Sequence, residues 1–146
     1  MIPAKVLGEM AAHARSTYPA ECCGLLLEAG GEITFRPIAN VAGSTEISSR
    51  GQRDGYVMDP KAQLAALQEI ESKGGGLWGI VHSHPDVGAY FSKEDKDMAL
   101  GGGSEPLWPG VRYVVISVRA GQVDGARIFS WDPSRRDFSG GELLIE

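Results

Sequence analysis

The chain is poor in cysteine, histidine and positive charge, and it contains no long apolar run. Its two cysteines, Cys22 and Cys23, are neighbours. A bridge between adjacent residues is strained, so this pair cannot found a disulfide framework. No Cys-x-x-Cys spacing occurs, which removes the usual thiolate zinc pattern and leaves both thiols as small packing groups. Any metal must therefore rely on carboxylates and on three histidines, His13, His82 and His84. Lysine and arginine number 14 against 19 aspartates and glutamates, and the formal net charge of −5 offers no basic footprint for nucleic acid. No run approaches the ~18 apolar residues of a membrane span, and the opening MIPAKVLGEM lacks the apolar centre of a secretory signal. The expectation is a cytoplasmic protein with neither membrane nor nucleic acid as partner; composition leaves the oligomeric state open.

What is present suits one globular domain over residues 1–146: the chain is 42% hydrophobic and 23% charged, and long enough to bury a core. Val6, Leu7, Met10, Ala11 and Ala14 repeat at helical spacing between Lys5 and Tyr18, and Pro19 stops the pattern. His13 then reads as a helix-surface residue. ECCGLLLE (21–28) and EITFRPI (32–38) read as strands joined by a glycine turn, and the polar segment 40–55 as a long loop of the kind that shapes a groove. Asp59-Pro60 starts a second helix with Leu64, Leu67 and Ile70 on its apolar face, ending before Gly74-Gly75-Gly76. A short helix is expected from about Ser92 to Leu100, then a glycine-containing connector over 101–110. Strands follow at 112–118 and 126–131, with a last one at ELLIE. This order favours an α+β fold around a mixed sheet.

The densest chemistry lies in VHSHPDVGAYFSKED, residues 81–95. Side chains i and i+2 of a strand share a face, so His82 and His84 project together while Ser83 turns away. The apolar LWGIV before them and Pro85 after them place the pair at the C-terminal end of a strand. Ser92 and the acidic residues behind it have two compatible readings. One is an ordinary N-cap with carboxylates on the helix dipole. In the other, the same helix start delivers Asp95 as an oxygen ligand, completing two imidazoles and a carboxylate with a position left for water. The spacing by itself leaves both open.

Three rival His-x-His architectures fail on counting. A metallo-β-lactamase-like site needs a further histidine where this chain has Val87, and three histidines cannot furnish its two metals. A cupin-like site needs a glutamate where Gly88 or Ala89 stands, and a later histidine that is missing. An amidohydrolase barrel needs ~250 residues.

The sequence does resemble the JAMM, or MPN-plus, metalloproteases. Their pattern is an upstream glutamate, then His-Ser/Thr-His, seven residues of which the first is Pro, then Ser, two residues and Asp. Here it reads His82-Ser83-His84-Pro85, with Pro85 through Phe91 as the seven, then Ser92, Lys93, Glu94 and Asp95. Pro19-Ala20-Glu21-Cys22-Cys23-Gly24 resembles the upstream element, and Asn40 and Tyr56-Val57-Met58-Asp59-Pro60 resemble further landmarks. The similarity runs from the first helix through the strand at 112–118. Phe91 departs from the proline that many members carry before the serine.

The resemblance implies an MPN-like, cytidine-deaminase-like sheet flanked by helices, with His82, His84 and Asp95 as zinc (Zn2+) ligands. It further implies Glu21 as general acid/base and Ser92 as donor to the oxyanion. The implied activity is zinc-dependent peptidase or isopeptidase cleavage after the C-terminal Gly-Gly of ubiquitin-like or sulfur-carrier β-grasp proteins, as in compact stand-alone prokaryotic members. The alternative is a catalytically silent, partner-binding scaffold with a structural zinc, against which retention of Glu21 with the full ligand set argues. By itself a glutamate at a strand start is a solvated residue. Asp86 and Glu94 match no motif position and read as solvent-facing or supporting groups, and Trp78, Tyr90 and Phe91 as core or groove wall.

Overall fold

The computed structural model describes residues 2–43 and 51–143. Its helices are α1 (Ala4–Thr17), α2 (Pro60–Ser72) and α3 (Lys93–Leu100). Its strands are β1 (Cys23–Ala29), β2 (Glu32–Ile38), β3 (Gly76–Pro85), β4 (Arg112–Arg119), β5 (Gln122–Asp132) and β6 (Asp137–Glu142). The strands form one sheet in the order β2-β1-β3-β4-β5-β6. Only β3 and β4 are parallel, and their connection carries α3; the remaining pairs are antiparallel. The mixed α+β sheet expected from the sequence is therefore the one observed.

Alternation along the central strands builds two cores. Leu26, Val81, Val114, Ile116 and Val118 pack under α1 with Val6, Met10 and Ala14. Leu25, Leu27, Ile80, Tyr113 and Val115 pack on the other face with Ala66 and Ile70 of α2 and Ala99 of α3. Cys22 goes to the first core and Cys23 to the second, both as free buried thiols. Desolvation pushes their pKa values up to about 11 and about 12, so they are inert packing groups, as the lack of metal-type spacing implied.

Some local expectations shift. Leu64, assigned to the apolar face of α2, is 57% exposed, and Ala66 takes the buried position instead. Among the described residues the last strand is Asp137–Glu142, which begins earlier because a turn after Asp132 folds the chain back and pairs Trp131 with Phe138; it meets the expected ELLIE only at Glu142, and residues 144–146 lie outside the described residues. The part of the 40–55 loop at 44–50 also lies outside them. His13 is half-buried, its ring 5.8 Å from that of Phe35, rather than on the open surface. Among the described residues no helix is long and apolar enough to cross a membrane.

Candidate metal centre

Strand register brings the candidate residues together. Cys23 pairs with His82, and the ladder continues past it through a bond from the Ser83 N–H to the Cys22 carbonyl. One further step sets Glu21 across from His84, on the face shared by His82. Ser83 points the other way, and its Oγ accepts the Cys22 N–H at 2.7 Å. Asp95 arrives from α3, whose start is a capping box. The Asp95 N–H donates to Ser92 Oγ and the Ser92 N–H donates to Asp95 Oδ2, each at 3.0 Å. The cap and the site are thus one construction.

The donor atoms converge tightly. His82 Nε2 and His84 Nε2 are 3.2 Å apart, and each is 3.0 Å from Asp95 Oδ2. Tetrahedral zinc with ligand distances of about 2.0–2.1 Å would hold its donors about 3.3 Å apart, so this triangle fits such an ion with little adjustment. Glu21 joins the two histidines in a looser group whose donor atoms lie within 4.8 Å of one another. Glu21, His82, His84 and Asp95 are all buried, so Glu21 is not the solvated residue its position in the sequence suggests.

The surroundings fix ring orientation and protonation. The His84 Nδ1 lies 3.1 Å from the Gly88 carbonyl, which must receive a proton, so the neutral ring presents its Nε2 lone pair to the site. Gly88 has φ 93°, and a Cβ there would stand 3.2 Å from Arg119; only glycine turns this carbonyl inward without strain. His82 is held by stacking, with Tyr56 at 4.7 Å and Phe91 behind it at 6.4 Å. Phe91 itself packs on Phe129 and Phe138. It fills the core where many relatives of the motif carry proline.

Burial lowers the pKa of His82, against the opposing effect of its hydrogen bond to Asp95. For His84 burial also opposes the charged form, but the hydrogen bond and charge of Asp95 outweigh it and raise the pKa. Burial would raise Asp95, yet its bonds with the two imidazoles hold it well below the usual carboxylate range. An anionic Asp95 facing two imidazole nitrogens inside a buried pocket is a donor set that wants a cation.

Asn40 and Tyr56, landmarks in the sequence, have tasks that only the fold reveals. The Asn40 amide donates to the Glu21 and Gly55 carbonyls, while its Oδ1 accepts the Ala42 and Val57 N–H groups. It thereby ties Glu21 to the segment that carries Tyr56 over His82. Asp86, read as solvent-facing, is exposed but clamps the loop: it accepts from the Tyr18 hydroxyl and the Ala120 N–H. A cleft of about 240 Å³ opens on the centre, its walls including Glu21, Arg53, His84, Tyr90 and Ser92. Nearby, Tyr56, Met58, Ile80, Met98, Trp108 and Tyr113 line a more apolar groove of about 260 Å³.

Residues 3–133 match the family described as prokaryotic homologs of the JAB domain. The chain belongs to that family. The JAMM resemblance carried by the His-x-His stretch is thereby borne out. Among curated JAB-family relatives, the desampylase of Haloferax volcanii is 31% identical over 68% of this chain and 63% of its own length. The match thus spans less than two thirds of that relative. The CysO-cysteine peptidase of Mycobacterium tuberculosis is 30% identical over 82% of this chain and 73% of its own. A Desulfitobacterium hafniense protein of known solution structure superposes with a TM-score of 0.71 at 26% identity, covering 99% of this chain and 91% of that one. A JAB1/MPN domain protein of Archaeoglobus fulgidus shares the fold, with a TM-score of 0.53 at 17% identity over 99% and 96% of the two chains.

Proposed function

We propose that this JAB-family chain is a zinc-dependent hydrolase that cuts the peptide or isopeptide bond following the C-terminal Gly-Gly of a ubiquitin-like or sulfur-carrier β-grasp protein. The observation that carries the reading is the convergence of His82, His84 and Asp95 on one point, with the buried carboxylate of Glu21 beside it. Similarity to a desampylase and to a CysO-cysteine peptidase supports the substrate class.

His82, His84 and Asp95 would hold the ion. When bound, zinc supplies the Lewis acidity that makes water nucleophilic near neutral pH and polarises a carbonyl. Glu21 takes the proton of the attacking water on its carboxylate and hands it to the leaving nitrogen, a role worth about 10²–10⁴-fold in rate. Ser92 Oγ already accepts the Asp95 N–H, so its own proton is left to point at the oxygen that becomes negative in the tetrahedral state.

Both sides of β3 are occupied by β1 and β4, so an extended tail cannot add to the strand that bears the histidines. It must run across the loops. The segments 51–58 and 101–110 supply Arg53, Tyr56, Met58 and Trp108 to the two openings, and a diglycine is narrow enough to pass between such walls.

The test is incubation of the zinc-loaded protein with β-grasp carriers bearing extensions after Gly-Gly, read by mass spectrometry. The expected result is cleavage after the second glycine, with little action on casein, and loss of cleavage with a chelator while the far-ultraviolet spectrum stays folded. Degraded casein beside intact carriers would overturn the substrate assignment. Unfolding on chelation would support a structural zinc instead.

A further inference from the structure

The polar cleft at the centre contains one feature that hydrolysis after diglycine does not by itself require. Arg53 lines it together with Glu21, Asp54, Glu94 and Asp95, and is the one arginine or lysine among the described lining residues. It forms no ion pair with any other described residue. Arg53 is exposed, but the residue before it is anchored. The Glu21 N–H donates to the carbonyl of the preceding residue, Gln52, at 2.7 Å, and the Gln52 side chain donates to the Asn40 carbonyl at 2.8 Å. The segment that carries the guanidinium is thus stapled to the backbone of the residue that hands a proton to the leaving nitrogen.

We propose that Arg53 is a specificity-determining residue that receives the α-carboxylate of the leaving amino acid, so that the preferred substrate is a carrier ending in Gly-Gly plus one free amino acid. This rests on the hydrolase reading above and names its leaving group. The group nearest Glu21 in the reaction is the leaving nitrogen. In a terminal amino acid a carboxylate lies two bonds from that nitrogen, whereas a lysine joined through its side chain brings no anion there. A guanidinium offers the paired donors that receive such a carboxylate. The cleft, at about 240 Å³, is smaller than the ~300–1,000 Å³ typical of drug-sized ligand sites, and a single amino acid is of a size to enter it. Val87 and Tyr90, 55% and 49% exposed, stand at its rim where the side chain of that residue would lie.

The experiment measures kcat/KM of the zinc-loaded wild type, Arg53→Ala and Arg53→Lys on three forms of one diglycine-tailed sulfur-carrier protein. One ends in Gly-Gly-Ala with a free carboxylate, one in the same sequence as the carboxamide, and one is joined to the side-chain nitrogen of lysine in a short peptide. Zinc content and circular dichroism confirm that the variants are loaded and folded. The expected result is that wild type prefers the free acid about tenfold or more, as loss of a charge-assisted contact implies. Arg53→Ala should bring the acid down to the carboxamide, and Arg53→Lys should restore part of the preference. Equal rates for acid and carboxamide in wild type, or an equal drop on both in Arg53→Ala, overturn the role of Arg53 while hydrolysis after diglycine stands. Cleavage of none of the three forms by wild type overturns the hydrolase reading and this proposal with it.

Discussion

The two faces of the central sheet follow the same alternation and end differently. Under α1, β3 contributes Val81 to an apolar core, and its one polar residue there, Ser83, is satisfied by a backbone N–H. On the opposite face the same strand runs from Ile80 into His82 and His84, met by Glu21 and Asp95. Burying apolar atoms is favourable at about 25 cal/mol per Å²; burying imidazoles against carboxylates costs free energy unless something compensates. Both faces thus carry an apolar core, and the face opposite α1 adds to its own a buried polar cluster that a cation would stabilise.

That division can be broken from either side. The largest effect should come from His82→Ala and Asp95→Ala: zinc, measured by inductively coupled plasma mass spectrometry, should fall from one per chain to a small fraction. Hydrolysis should fall by orders of magnitude. Full zinc in both variants would remove the ligand assignment. On the α1 face, Met10→Ala should cost about 2–5 kcal/mol in denaturant unfolding by leaving a cavity, with zinc retained at one per chain. Loss of zinc from folded Met10→Ala would show that the faces are not separable.

Ser92→Ala sits between the two roles. It should cost about 0.5–2 kcal/mol as a lost cap and lower kcat by about 10²-fold as a lost oxyanion donor. If only the unfolding midpoint moves, Ser92 is a cap and nothing more. The smallest effect belongs to Asp86, whose pKa is lowered first by the Ala120 N–H and then by the Tyr18 hydroxyl. A depressed folded pKa means stability that is present above the unfolded value of about 3.9 and lost as pH falls through the folded one. In metal-free protein, the stability advantage of wild type over Asp86→Asn should be level near neutrality and shrink below about pH 4. A gap that stays level down to pH 3 would deny the carboxylate its clamping role.

Much of this was legible in local pattern. Period-two spacing put His82 and His84 on one face, and a Ser-x-x-Asp helix start delivered Asp95, because both depend only on residues near in sequence. Glycine turns and apolar runs likewise placed β1, β2, β3 and β4. What local pattern could not show was decided by distant partners. Glu21 reads as solvated until the register of β1 on β3 buries it opposite His84. Leu64 fits the apolar stripe of α2, yet the sheet offers Ala66 the closer approach. The strand DFSGGE is not announced by its composition, because it is poorer in apolar residues than ELLIE; the turn after Asp132 is what brings it onto β5. Asn40 and Gly88 act through backbone groups far along the chain, which no side-chain pattern announces.

If Glu21 moves protons at a centre held by other residues, Glu21→Gln separates the two roles when zinc and turnover are measured on one sample. The amide is nearly isosteric but cannot accept the proton of water. The expected result is an unchanged unfolding profile, one zinc per chain, and cleavage of a diglycine-tailed carrier reduced by about 10²–10⁴-fold or more. Near-normal cleavage by fully loaded Glu21→Gln would contradict it.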